Sequence, residues 1–291
     1  MKKIFATLLL LLAFVPVTFA QDEEKEESNP EPIPELFYGT RTVNFHTVRQ
    51  LGRNVLAYRI SHRFGSLRED QLYTFLGLDG PASISFMFDY GITDNLMIGV
   101  ARDQFQKVYN GYIKYNLLNQ ESGGGSPVTL AVYGKGNIIS LRNPAPPGGF
   151  NRFEDFANRM SYIAQVLVAR RFGERFALQL APTYVHHNLV EFAEDANDMF
   201  ALTGSAQFML TKRMGLSGEF GAVVNEYSIT PENFHPTGSI GLDIVTGGHV
   251  FQIMVTNSPI INEAFSIPYT QADIMNGDVR LGFNISRKFW L

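Results

Sequence analysis

The sequence predicts an all-β fold: a transmembrane, antiparallel, up-and-down β-barrel of about 12 strands, with short periplasmic turns and long outer loops. Three observations predict it. Apolar residues recur with period two over long runs, the links between runs alternate short and long, and aromatic residues gather at the ends of the apolar face. No stretch beyond residue 20 approaches the roughly eighteen consecutive apolar residues of a membrane helix.

The chain of 291 residues opens with MKKIFATLLLLLAFVPVTFA. Lys2 and Lys3, the apolar run 4–14 and the small residues Thr18 and Ala20 read as a cleaved signal peptide over 1–20. A retained anchor is the alternative, but the run is short for a span. The expected location is therefore the outer membrane of a Gram-negative cell, reached by secretion across the inner membrane. Cysteine is absent, so stability must come from closure and packing, without disulfides.

Residues 21–36 form an acidic, proline-rich tether. Asp22, Glu23, Glu24, Glu26, Glu27, Glu31 and Glu35 face a single Lys25, with Pro30, Pro32 and Pro34 between them. Self-repulsion and few apolar groups leave nothing to offset the entropy of ordering. From Leu36 onward 21 basic residues balance 21 acidic ones, so the acidity lies in the tether and nothing argues for nucleic acid. Residues 37–53 alternate weakly and read as a pre-barrel segment or an internal plug. The barrel is expected over 54–291.

Twelve period-two runs follow: 54–64, 82–90, 95–103, 107–117, 127–138, 159–171, 175–187, 199–211, 215–226, 238–246, 249–257 and 278–290. Most exceed the five or six residues of an ordinary soluble strand and suit a tilted bilayer crossing. Links after even-numbered runs are mostly tight, as at 91–94, 172–174, 212–214 and 247–248. Those after odd-numbered runs are mostly long, as at 65–81, 139–158, 188–198, 227–237 and 258–277. A Greek-key sandwich has no reason to alternate in this way.

One face of the 159–171 run carries Met160, Tyr162, Ala164, Val166 and Val168, and its partner run continues that face with Phe176, Leu178, Leu180, Pro182 and Tyr184. The other face is mixed, small and polar. Lipid outside and a polar interior account for both. Tyr109, Tyr162, Tyr184 and Phe200 are placed for an outer aromatic girdle, and Tyr90, Tyr115, Phe176 and Phe289 for an inner one.

The segments YGTRTVNFHTVRQLGRNVLAYRISHRFG, FDYGITDNLMIGVARD, GHVFQIMVTNSP and RLGFNISRKFW together resemble an uncharacterised outer-membrane β-barrel family, a domain of unknown function, of Bacteroidetes-type bacteria. The resemblance spans roughly 37–291. It implies a barrel and outer-membrane placement, and it brings no substrate and no catalytic residues.

Candidate chemistry is sparse. His186 and His187 are adjacent and point to opposite faces of a strand, and His46, His62, His235 and His249 lie in separate elements without ligand spacing. No metal, cofactor or catalytic residue is expected. A lipid hydrolase, the enzymatic alternative, needs a serine beside an outward histidine, yet Ser61 and Ser161 alternate inward while His62 and His186 point out. The glycine-rich NQESGGGSP lacks the lysine and following helix of a phosphate loop.

The inward charges are more informative. On this register they are Arg59, Arg63, Lys114, Lys135, Arg159, Arg171, Arg175 and Arg280, against Asp89, Asp103, Glu219 and Asp243. They read either as an internal ion-pair network or as a lumen that prefers anions. A three-residue turn at 172–174 sets Arg171 opposite Arg175, a like-charge pair that needs a neutralising partner. Two loops are long enough to fold over the mouth: FNRFEDFANR, with Phe153 and Phe156 on one side of a short helix, and INEAFSIPYTQADIMNG, with a helical turn. The leading functional expectation is a channel or uptake pore for small solutes, anionic ones included. The alternative is a plugged docking barrel whose tether meets a periplasmic protein. Expected partners are outer-membrane lipid and, during insertion, the barrel-assembly machinery.

Overall fold

Alternation of lipid-facing and inward residues leaves the backbone's own polar groups to be paired, and in a membrane only a closed sheet pairs them all. The computed structural model describes residues 31–34, 36–68, 72–143 and 151–291. The signal peptide, most of the tether and residues 144–150 lie outside the described residues. Within them the first half of the barrel is β1 (Val55–Ser66), β2 (Ser83–Gly91), β3 (Leu96–Asp103), β4 (Val108–Leu118), β5 (Thr129–Ile139) and β6 (Met160–Phe172). The second half is β7 (Phe176–His187), β8 (Asp198–Met209), β9 (Met214–Val223), β10 (Thr237–Thr246), β11 (His249–Thr256) and β12 (Arg280–Trp290). Each strand pairs antiparallel with its sequence neighbour, and β1 closes on β12 with Val55 opposite Trp290 and Ser66 opposite Arg280. No described helix is long and apolar enough to cross a membrane.

The connections sort by rim. At the rim where β1 begins they are residues 92–95, 119–128, 173–175, 210–213 and 247–248. At the opposite rim they are 67–82, 104–107, 140–159, 188–197, 224–236 and 257–279. We call these the inner and outer rims. Burial alternates along every strand. Ile240 and Ile253 are 69% and 60% exposed on the outside, whereas Met97, Leu167 and Met199 are fully buried inside. Tyr109, Tyr162, Tyr184 and Phe200 are exposed toward the outer rim, and Tyr115, Phe176 and Phe289 toward the inner one. Tyr90 is only half-buried beside Leu56.

The loop 257–279 carries α1 (Glu263–Tyr269), capped by Asn262, whose side chain accepts from the Ala264 amide. The loop before β6 departs from its expected helix. Only residues 156–159 form a 3-10 turn, and Phe153 is buried beneath the Arg159 guanidinium while Phe156 is exposed.

One glycine makes room for the interior. Gly99 on β3 faces inward opposite Tyr112, and a Cβ there would fall within the Tyr112 ring. That ring crosses the gap and donates its hydroxyl hydrogen to Asp89. Gly99→Val is expected to push the ring aside and destabilise the barrel by about 1–3 kcal/mol, the usual cost of overpacking. Urea unfolding of the barrel in detergent micelles would measure it, and an unchanged midpoint would contradict it.

Candidate functional site: a lumen filled from both mouths

Residues 36–51 lie inside the barrel. From the inner mouth the chain runs inward, turns at 42–45 and returns, so that Arg41 bridges His46 and the Thr47 amide donates to the Thr40 carbonyl at 2.9 Å. Phe37, Val43, Phe45, Val48 and Leu51 are buried against the wall and supply the apolar part of this hairpin.

The hairpin tip is held by Glu219 on β9. Its Oε2 accepts from the amides of Val43, Asn44 and Phe45 at 3.0, 2.7 and 3.0 Å, and from the Thr42 hydroxyl at 3.0 Å. Its Oε1 accepts from Asn44 Nδ2 at 2.9 Å and from the Ser239 hydroxyl at 3.2 Å. A tight turn points several N–H groups to one spot, and a carboxylate is the acceptor that satisfies them together.

The wall cations serve the hairpin's acceptors. Arg59 donates to the Val43 carbonyl at 2.7 Å and Arg63 to Asn44 Oδ1 at 2.6 Å. Lys114 Nζ donates to the carbonyls of Thr47 and Arg49 at 2.7 and 2.5 Å. Gln179 spans both sides, accepting from the Val48 amide and donating to the His46 carbonyl. Arg41 pairs with Asp89 at 3.2 Å. Asp243 accepts from Gln207 and Gln252.

From the outer mouth, α1 descends into the lumen, and its residues Glu263 to Pro268 are buried there. Glu263 pairs with Lys135 at 2.6 Å and accepts from the Tyr133 hydroxyl at 2.6 Å. Asn262 donates to Asp103 and Asn137, while His187 contacts the Ala264 carbonyl through Nε2 at 2.9 Å. Tyr227 donates to the Pro268 carbonyl at 2.8 Å. Burial, with the nearby Asp195 charge adding to it, pushes that phenol up to about 12, so it remains a donor at neutral pH. Tyr133 on the wall links the two inserts: its hydroxyl donates to Glu263 of α1, and its ring lies 4.1 Å from that of His46, which is also 5.0 Å from the Tyr112 ring.

This placement corrects the expected charge balance. Among the described residues the buried cations are Arg41, Arg59, Arg63, Lys114 and Lys135, and the buried carboxylates are Asp89, Asp103, Glu219, Asp243 and Glu263. Among the buried groups five face five, and the half-buried Arg49 of the hairpin, donating to the carbonyls of Phe37 and Tyr38, adds one cation, so the expected large basic excess is absent. Arg159 sits at the outer rim, donating to the carbonyls of Ile139 and Leu141. Arg280 is at the same rim near Asp278. Arg175 lies in the turn and is exposed. Arg171 pairs with Ala177, because β6 continues to Phe172 and the turn is 173–175. The expected Arg171/Arg175 opposition is therefore absent, and Arg171 donates to the carbonyls of Pro34, Gly173 and Glu174. Arg41 and Glu263 were missed because they belong to the inserts. The available signal for the second was Asn262 followed by Glu263, a helix cap with an acid in the first turn.

Above α1 the outer mouth opens into a vestibule of about 690 Å³, with Phe105, Phe153, Phe265 and Tyr269 among its aromatic walls and Arg152 and Glu191 among its charged ones. No cluster of His, Cys, Asp and Glu fit for a metal occurs among the described residues. Ser61 and Ser161 are buried on the inner face, away from the outward His62 and His186.

A family model described as a membrane-bound beta-barrel domain (DUF5777) matches residues 37–289. Among solved structures, the chain is similar to the NanC porin, with 10% identity over 81% of this chain and 100% of that one and a TM-score of 0.49. It is similar to the KdgM porin at 9% identity over 81% and 99%, with a TM-score of 0.48. It is also similar to the COG4313 outer membrane channel from Pseudomonas putida F1 at 12% identity over 83% and 98%, with a TM-score of 0.48. No curated protein matches the chain. Likeness at this level carries nothing about what passes, binds or reacts.

Proposed function

The chain belongs to the membrane-bound beta-barrel domain family, and on that premise we propose an outer-membrane barrel that stands closed to solutes, sealed by its own hairpin and α1. The observation that supports this is the state of the inner wall. Ser61, Arg63, Lys114, Asn137, Leu167 and Thr256 all have 0% exposure. A water-filled pore leaves such residues wet, whereas these touch protein. The wall charges are spent on the inserts and are not arrayed along a path. In this reading the barrel is a scaffold. Residues 31–34 lie at the inner mouth, where the Ile33 amide donates to the Gln120 carbonyl at 2.9 Å. The acidic segment preceding them is then offered to a periplasmic protein.

The vestibule favours a second reading, a conduit for small solutes that loads at the outer mouth and conducts once α1 and the hairpin shift. Planar-bilayer recording of the unmodified protein separates the two. The closed barrel gives no current above leak across a range of salts. A steady current would overturn it and favour the conduit.

A further inference from the structure

The polar groups of the hairpin are matched to the wall, with one exception at its centre. His46 is 0% exposed, and neither ring nitrogen, Nδ1 or Nε2, has a hydrogen-bond partner among the described residues. Its main chain is well held, with the carbonyl accepting from Gln179 of β7 at 2.7 Å. A buried polar ring without partners weakens the packing around it, so its presence calls for a reason. A phenylalanine would occupy a similar space without that cost.

The ring is surrounded by positive charge. Arg41 is its bridge partner within the hairpin. On the wall, β4 brings Tyr112 and Lys114 and β5 brings Tyr133 and Lys135, with Tyr112 opposite Lys135 and Lys114 opposite Tyr133. Arg59 reaches in from β1 to the Val43 carbonyl. The Arg41 guanidinium lies 5.1 Å and Lys135 Nζ 5.8 Å from the centre of the Tyr112 ring that packs edge-on against His46. The carboxylates of the region are engaged elsewhere. Asp89 of β2 accepts from Thr40, Arg41 and Tyr112, and Glu263 of α1 accepts from Tyr133 and Lys135. A proton on the seated ring would add a fifth positive charge with no acceptor. Burial first, then the charges of Arg41, Lys114, Lys135 and Arg59, hold the imidazole well below its usual range.

We propose, on the closed-lumen reading above, that His46 is a pH latch: neutral, it lets the hairpin seat in the lumen, and protonated, it favours the hairpin released. In the released hairpin the imidazole meets water and titrates near its ordinary value of about 6.5. Seating is therefore indifferent to pH above that value and weakens by up to about tenfold for each unit below it, because the released state binds the proton and the seated state refuses it. The barrel ladders do not use His46, so the wall stays closed on itself while the hairpin lets go.

Hydrogen–deuterium exchange of the full barrel in detergent, read by mass spectrometry and corrected for intrinsic rates, tests the latch between pH 7.5 and pH 5.5. Peptides covering residues 40–47 are expected to lose about tenfold in protection across that window, while peptides of β6 and β7 keep theirs. His46→Phe retains a ring and removes the protonation site, so its protection is expected to match or exceed the unmodified value at pH 7.5 and to stay flat to pH 5.5. His46→Gln, smaller and uncharged, is expected to be flat as well and covers the case in which the phenylalanine ring does not fit. Heat-dependent gel mobility confirms that each variant is folded. Protection that ignores pH in the unmodified protein would overturn the latch. So would an equal fall in both variants, which would move the sensor to a buried carboxylate. Bilayer recording keeps the two readings apart: a steady current at pH 7.5 sinks the closed barrel, whereas a silent barrel whose hairpin ignores pH sinks the latch alone.

Discussion

Glu219→Ala is expected to unlock the hairpin. The carboxylate is the shared acceptor for three backbone amides, a threonine hydroxyl and an asparagine amide. Deleting it strands those donors in a closed lumen, where the other buried carboxylate on the neighbouring strand, Asp243, already accepts from Gln207 and Gln252. Removing one member of a buried charged network typically costs about 3–5 kcal/mol, and each stranded donor about 1–3 kcal/mol until water reaches it. The barrel ladder does not pass through the Glu219 side chain, so the loss falls on the insert more than on the wall. Trypsin would report it. Arg41 is buried in the unmodified protein, and cleavage there appears only when the hairpin leaves. Glu219→Gln keeps one acceptor oxygen and is expected to lose less. A variant as resistant as the unmodified protein would show that the apolar contacts of Phe37, Phe45 and Val48 suffice to hold the hairpin.

How far the sequence foretells this arrangement depends on what imposes the pattern. Lipid constrains one face of every strand, so the apolar alternation of Ile84, Phe86 and Phe88 on β2, or Leu281, Phe283 and Ile285 on β12, is visible without coordinates. The twelve runs and the rim-by-rim loop lengths follow from the same constraint. The lumen obeys no such rule. Its inner wall needs only complementarity to whatever fills it, and that comes from residues 36–51 and from the loop before β12. Arg59, Arg63, Lys114 and Lys135 are correctly inward by alternation. Their partners are backbone carbonyls, asparagine side chains such as Asn44 and Asn284, and one helical glutamate, which carry no signature in sequence spacing. The Arg171/Arg175 opposition failed for a smaller reason: the turn sits one residue later, around Gly173 with φ of +61°. Alternation still places Arg171 inward, but the turn holds Arg175 at the rim.

Excising residues 37–51 is expected to convert a silent barrel into a conducting one with a weak preference for cations. The β1–β12 seam and every other ladder survive the excision, since none of them uses the hairpin. What disappears is the material that covers the inner half of the wall. The remaining wall cations are Arg59, Arg63, Lys114 and Lys135, facing Asp89, Asp103, Glu219 and Asp243, while Glu263 of α1 stays on Lys135. Losing Arg41, together with the half-buried Arg49, thus leaves the interior with four cations facing five carboxylates, one negative charge in excess. Arg159, Arg171, Arg175 and Arg280 add positive charge only at the rims, where water and salt screen it. In a salt gradient the reversal potential should take the sign of cation flow. A silent variant would assign the seal to α1. Anion selectivity would mean that the rim arginines govern passage and that the buried balance does not.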